Sequence, residues 1–132
     1  MTEAWEESAP RLLLELGYWC IRNGQAADAQ VLLRGARAYR PNDPTPAMFL
    51  GMADFAAGRY PEAERAYREV LEKHDDDLTR AFLAESLIAQ KRWNEATTLL
   101  EGVVQKDRQP AATTFARELL QQLKNGLFQR RG

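Results

Sequence analysis

The chain repeats itself, and the period of that repeat constrains its fold more than any single residue does. Leu16-Gly17, Gly24, Ala29, Ala36 and Pro41 return about 34 residues later as Leu50-Gly51, Gly58, Ala63, Val70 and Asp75. A third copy follows roughly 33 residues on, where Gly58-Arg59-Tyr60-Pro61-Glu62-Ala63 becomes Lys91-Arg92-Trp93-Asn94-Glu95-Ala96. One connecting loop has therefore lost a residue. A unit this short cannot bury its apolar face alone, so successive copies must stack, and such stacks work by the surface they present.

The repeats lie at 10–43, 44–77 and 78–110 within a single domain. A capping segment runs from 111 to about 125, with a short N-terminal segment 1–9 and a tail 126–132. Each repeat reads as two helices. Pro10 suits a first helical position, where its missing N–H costs nothing, and Ser8 is placed to help cap. Asn23-Gly24 stops that helix. A second helix spans about Ala26 to Tyr39, with Ala29, Leu32, Leu33 and Ala36 on one face. Pro41, Pro44 and Pro46 break the pattern and set up the next pair. Pro44–Ala57, the turn at Gly58, and a stripe of Ala63, Ala66, Tyr67, Val70 and Leu71 repeat the scheme. Leu83, Leu87 and Ile88 open the third pair, and Ala96, Leu99, Leu100, Val103 and Val104 close it. The last segment sets Phe115, Leu119, Leu120 and Leu123 against a polar face of Arg117, Glu118, Gln121, Gln122 and Lys124, as expected of a solvating cap stopped at Asn125-Gly126. Lys124, Arg130 and Arg131 read as a frayed basic tail. Small residues at equivalent points, Gly17, Gly51 and Ala84 in first helices and Ala29, Ala63 and Ala96 in second ones, let the paired backbones approach.

Several function classes fall away on composition. Eighteen basic and 19 acidic residues leave a net charge of −1, without the clustered Lys and Arg of a nucleic-acid surface. No apolar run reaches the roughly 18 residues of a membrane span. Glu3, Glu6 and Glu7 stand where a secretory signal carries positive charge, so a cytoplasmic location is expected. The one cysteine, Cys20, lies in the apolar segment Leu12 to Ile21 and reads as a small core residue. His74, beside Asp75-Asp76-Asp77 in the shortened loop, has no second nitrogen or sulfur donor for a metal. Asp77 or a neighbour there is expected to cap a helix from Leu78. With one histidine and scattered acids, no catalytic set, phosphate loop, cofactor site or metal site assembles, and no enzyme is expected.

At these positions the chain resembles the tetratricopeptide repeat family over about residues 10–110. The second repeat carries the resemblance most fully, in Leu50-Gly51, Gly58, Tyr60, Ala63, Tyr67 and Leu71. The third departs from it, with Lys91 at the turn glycine and Ala84 at the packing glycine. The resemblance implies an all-α fold, a right-handed α-solenoid of three helix pairs plus the C-terminal capping helix, whose first helices line a concave groove. Carried over position by position, that groove is lined by Leu14, Tyr18 and Ile21, by Met48, Met52 and Phe55, and by Leu78, Ala81 and Ile88.

Such a wall is apolar and methionine-bearing. Groove positions Leu14, Tyr18, Met48, Met52, Ala81 and Glu85 lack the Lys, Arg and Asn clamp with which related co-chaperones hold acidic peptide tails. An amphipathic helix or hydrophobic segment is the matching ligand class. The stretch Leu12 to Trp19, then Asn23-Gly24-Gln25-Ala26 and Ala29 to Pro41, is similar to the first repeat of small chaperones of bacterial type III secretion. That likeness implies a small helical secretion-system partner, a needle, early export or translocator component, held in a hetero-oligomer. The alternative is a constitutive scaffold or adaptor, self-associating through Trp5, Trp19 or Trp93.

Overall fold

The computed structural model describes residues 2–126, with side chains from Ser8 onward. Among the described residues the chain is all helix: α1 (Thr2–Arg22), α2 (Ala26–Tyr39), α3 (Pro44–Ala56), α4 (Tyr60–Lys73), α5 (Asp77–Ala89), α6 (Trp93–Lys106) and α7 (Pro110–Lys124). Arg130 and Arg131 of the expected basic tail, and Met1, lie outside the described residues. The chain divides into two compact units, Met1–Ala66 and Tyr67–Gly132, with the boundary inside α4. In the first unit α1 packs on α2 and α2 on α3, and α1 and α3 also touch. In the second, α5, α6 and α7 pack pairwise in the same scheme. Within each unit consecutive helices pair, as a helical-repeat fold requires.

One turn is built three times. After α1, the N–H of Gln25 donates to the carbonyl of Cys20 at 2.8 Å and that of Gly24 to Ile21 at 3.3 Å. After α3, Arg59 donates to Asp54 at 2.8 Å and Gly58 to Phe55 at 2.9 Å; after α5, Arg92 donates to Leu87 and Lys91 to Ile88, each at 2.9 Å. These six-residue closures satisfy carbonyls a helix end would leave unpaired, and they need a left-handed residue at the pivot. Gly24 (φ 74°) and Gly58 (φ 78°) supply it without a Cβ clash, and Lys91 adopts it with a side chain (φ 64°). The missing glycine of the third copy thus leaves the turn geometry unchanged.

The lost residue lies between the second and third copies. Four residues, 40–43, join α2 to α3, whereas three, 74–76, join α4 to α5. Both loops end in a capping aspartate: Asp43 accepts from the Thr45 N–H at 2.9 Å, and Asp76 from the Thr79 N–H at 3.0 Å. The cap is Asp76, so α5 begins at Asp77, one residue before the expected Leu78.

The N-terminus differs from the sequence expectation. Pro10 does not open a helix; α1 starts at Thr2 and passes through it. Ser8 is accordingly a helical residue and not a cap, and 2–9 are not a separate segment. An interior proline removes one main-chain hydrogen bond and crowds the preceding turn. The helix continues regardless, since Glu and Ala dominate the residues before Pro10 and both Ala9 and Pro10 are buried.

The small positions are core contacts. Ala29, Ala63, Ala84 and Ala96 are fully buried, and Gly17 and Gly51 are buried. A Cβ on Gly17 would stand 2.7 Å from Cδ2 of Leu33, closer than carbon atoms approach. Cys20, Ala29, Leu33, Leu50 and Ala53 form one buried cluster in the first unit, against which Leu14, Ile21, Leu32 and Phe49 pack. In the second unit Tyr67, Phe82 and Phe115 form a ladder of rings, with centroids 6.0 and 5.2 Å apart. Burying one such large apolar side chain contributes about 1.5–3 kcal/mol.

Candidate partner-binding surface

Three sets of repeat-equivalent positions define the candidate wall: 14, 48 and 81; 18, 52 and 85; and 21, 55 and 88. In the first unit they fall on α1 and α3. Tyr18 is exposed, and its ring lies 5.7 Å from that of Phe49 on α3. The Arg22 guanidinium sits over Tyr18, 5.9 Å from its centroid, and donates to the phenol oxygen at 3.3 Å. These contacts hold the ring, which stays 38% exposed. Met48 and Met52 are half-buried a helical turn apart. Phe55, also half-buried, packs on Tyr60 at 5.0 Å between centroids. Leu14 and Ile21 spend much of their surface on the core cluster. The accessible part of this wall is thus Tyr18, Met48, Met52 and Phe55.

The second unit departs from expectation. Ala81 and Ile88 are buried, at 0% and 3% exposure, so they belong to the core and offer nothing to a partner. Heptad-like spacing marks the face of a helix and says nothing of how deeply that face is covered. Leu78 is half-buried, and its N–H is taken by the Gln109 side chain at 3.1 Å. Glu85, the equivalent of Tyr18 and Met52, is the more telling residue. It is half-buried, and desolvation pushes its carboxyl pKa up to about 7. A carboxyl of this kind is only partly ionised at neutral pH, so it interrupts an apolar lining less than an ordinary glutamate would. The repeat spacing places Glu85 among the groove positions, and its residue type gives no sign of this burial.

Beside the α5 N-terminus stands an ion network that composition did not reveal. Arg108 reaches Asp75 at 2.9 and 3.0 Å and Asp77 at 2.9 and 3.0 Å, while Arg80 reaches the same two carboxylates at 2.6 and 2.8 Å. The hydrogen bonds from Arg108, seconded by those from Arg80, hold both carboxyls below the usual range. Each aspartate already has its cations, which makes this a structural clasp. His74 adds no ligand set, and no metal-ligating cluster of three such groups occurs among the described residues.

The second unit also carries an open cleft of about 450 Å³ lined by Arg68, Leu87, Asn94, Glu95, Thr98 and Leu99. Arg68 and Glu95 face each other across it at 3.8 Å. Leu87 and Leu99 had read only as core residues, and nothing in the spacing distinguishes an apolar floor from an apolar interior. Of the tryptophans, Trp19 is exposed and Trp93 half-buried; the Trp5 side chain lies outside those described.

The segment from the end of α1 to the start of α5 holds two of the three built turns. Residues 20–81 match the tetratricopeptide repeat family model. That match supports a tetratricopeptide repeat protein, and with the helix pairing it fits an all-α repeat fold. No curated protein is significantly similar to this chain. Tetratricopeptide repeats are typically non-enzymatic modules that bind other proteins, which is the coarse function the match implies here. No helix among the described residues is long and apolar enough to cross a membrane.

Proposed function

We propose that this tetratricopeptide protein is a cytoplasmic chaperone that holds an amphipathic or hydrophobic segment of a small helical partner against the apolar wall of α1 and α3. The carrying observation is the set Tyr18, Met48, Met52 and Phe55, which stays accessible on first-of-pair helices and is uncharged apart from Arg22 at its edge. Flexible thioethers flanked by fixed rings suit an apolar helix whose side chains need not match one shape. Burial at about 25 cal/mol per Å², less the cost of ordering the ligand, supplies the affinity. The likeness of the first repeat to type III secretion chaperones supports a needle, early export or translocator component as the ligand.

Co-expression with small helical proteins of a secretion apparatus tests this reading. A partner insoluble alone should become soluble in a complex that dissociates on release, and Met52→Glu should abolish capture while leaving the helical spectrum intact. Capture unaffected by Met52→Glu would rule out the wall as the binding surface. A partner that never leaves the complex would favour a scaffold over a chaperone.

A further inference from the structure

Arg11, Glu15, Tyr18 and Arg22 follow one another at spacings of four, three and four residues, so they share one edge of α1. Tyr18 makes that edge part of the wall, because its ring meets Phe49 of α3. The charges along the edge do not balance. Glu15 is paired with Arg11 at 3.2 Å, whereas Arg22 has no acidic partner among the described residues. The glutamates at the start of α1 cannot supply one, since even Glu7 lies about 22 Å back along the helix axis. The helix dipole favours a cation anywhere in this last turn, but only a side chain on the Tyr18 edge delivers it to the wall.

The Arg22 guanidinium rests over the Tyr18 ring, 5.9 Å from its centroid, and its bond to the phenol oxygen at 3.3 Å occupies one of its several N–H donors. The phenol's own O–H meets no acceptor among the described residues. Two neighbouring side chains thus bring spare donors and a positive charge to one end of an apolar wall. A carboxylate accepts from both and cancels the charge; an amide does only the first, and an ammonium group neither. We infer that the segment held on this wall is an amphipathic helix with a glutamate or aspartate beside its apolar stripe, and that Arg22 and Tyr18 select it by that carboxylate. The inference rests on the wall reading above and adds the sign of the charge the partner carries there. A bound helix removes part of the water that would screen the pairing, so the contact counts for more than an exposed ion pair does.

Three labelled helical peptides test this against the full chain by fluorescence anisotropy. They share one stripe of leucine and alanine and differ only at one position on each edge of it, which is glutamate, glutamine or lysine. The glutamate peptide should bind roughly 10-fold more tightly than the glutamine peptide, and the lysine peptide more weakly than either. Arg22→Gln should erase the difference between glutamate and glutamine, and Arg22→Glu should reverse the order of glutamate and lysine. Tyr18→Phe should keep the apolar contact and lose part of the preference. Both side chains are exposed, so the circular dichroism spectrum of each variant should match that of the parent. Equal affinity for the three peptides, or a glutamate preference that survives Arg22→Gln, overturns the inference. If Met52→Glu still abolishes binding in that case, the wall stands without its charge selection. Binding that Met52→Glu leaves unchanged, or no binding of any of the three, overturns the wall reading and this inference together.

Discussion

Arg108 grips Asp77 across 31 residues of sequence through two parallel hydrogen bonds, Nε to Oδ2 at 3.0 Å and Nη2 to Oδ1 at 2.9 Å. Asp77 is buried and Arg108 is half-open to solvent, so the guanidinium completes the charge of a carboxylate that water barely reaches. Removing it leaves Arg80 alone to compensate Asp77. Arg108→Ala should lower the midpoint of thermal or denaturant unfolding. Arg108→Lys should recover only part of the loss, because an ammonium lacks the planar fork. An unchanged midpoint for Arg108→Ala would mean the clasp is ornamental.

Glu85 sets the pH dependence at the other extreme. Its folded pKa, about 7, lies above the ordinary 4.5, so between those values the folded state binds a proton that the unfolded state has lost. Stability from this group is full below about pH 4.5 and declines by about 2–3 kcal/mol as pH rises to 7. Asp75 and Asp77 act with the opposite sign: held below the usual range, they stabilise above about pH 4 and lose that contribution in stronger acid. Glu85→Gln should flatten the slope between pH 4.5 and 7 in urea titrations, and leave the acid limb in place. A slope that survives the substitution would place its origin elsewhere.

Two helical glycines should respond to alanine in opposite directions. At Gly17 the new methyl meets Leu33 at 2.7–2.8 Å, and the resulting overpacking should cost about 1–3 kcal/mol despite the better helix propensity of alanine. At Gly102 nothing lies within 4 Å of the added atom, so Gly102→Ala should raise stability by up to about 1 kcal/mol. Paired melting curves distinguish them; equal shifts would contradict the close α1–α2 approach.

The pivot positions give a third pair. Gly58→Ala places a Cβ on a residue at φ 78° and should destabilise by about 1–2 kcal/mol. Lys91→Gly relieves the same strain and should stabilise by up to about 1 kcal/mol, less the entropy that glycine adds to the unfolded chain. Destabilisation by Lys91→Gly would show that the lysine side chain contributes something its backbone conformation does not reveal.

Most of the fold was legible because the repeat carries its own punctuation. The bounds Ala26–Tyr39, the start at Pro44, the turn at Gly58 and the shortened 74–76 loop follow from glycines, prolines and apolar spacing alone. Pro10 misled because its local preference for a helix start was overridden by the burial of Ala9 and Pro10. The wall was legible as a face and illegible as a depth: Met48 and Ala81 hold the same register, yet one is half-buried and the other closed. Arg108 escaped notice because an ion pair spanning 31 residues leaves no periodic trace.

The three built turns bear on how the chain comes to be folded at all. Each closes through bonds confined to six consecutive residues, so a hairpin can form its reversal before anything distant is available. On a ribosome, α1 and α2 can meet while the chain that follows them is unmade. Within each unit the helices that pack are near neighbours in sequence, so folding calls for few of the long loop closures that slow other topologies.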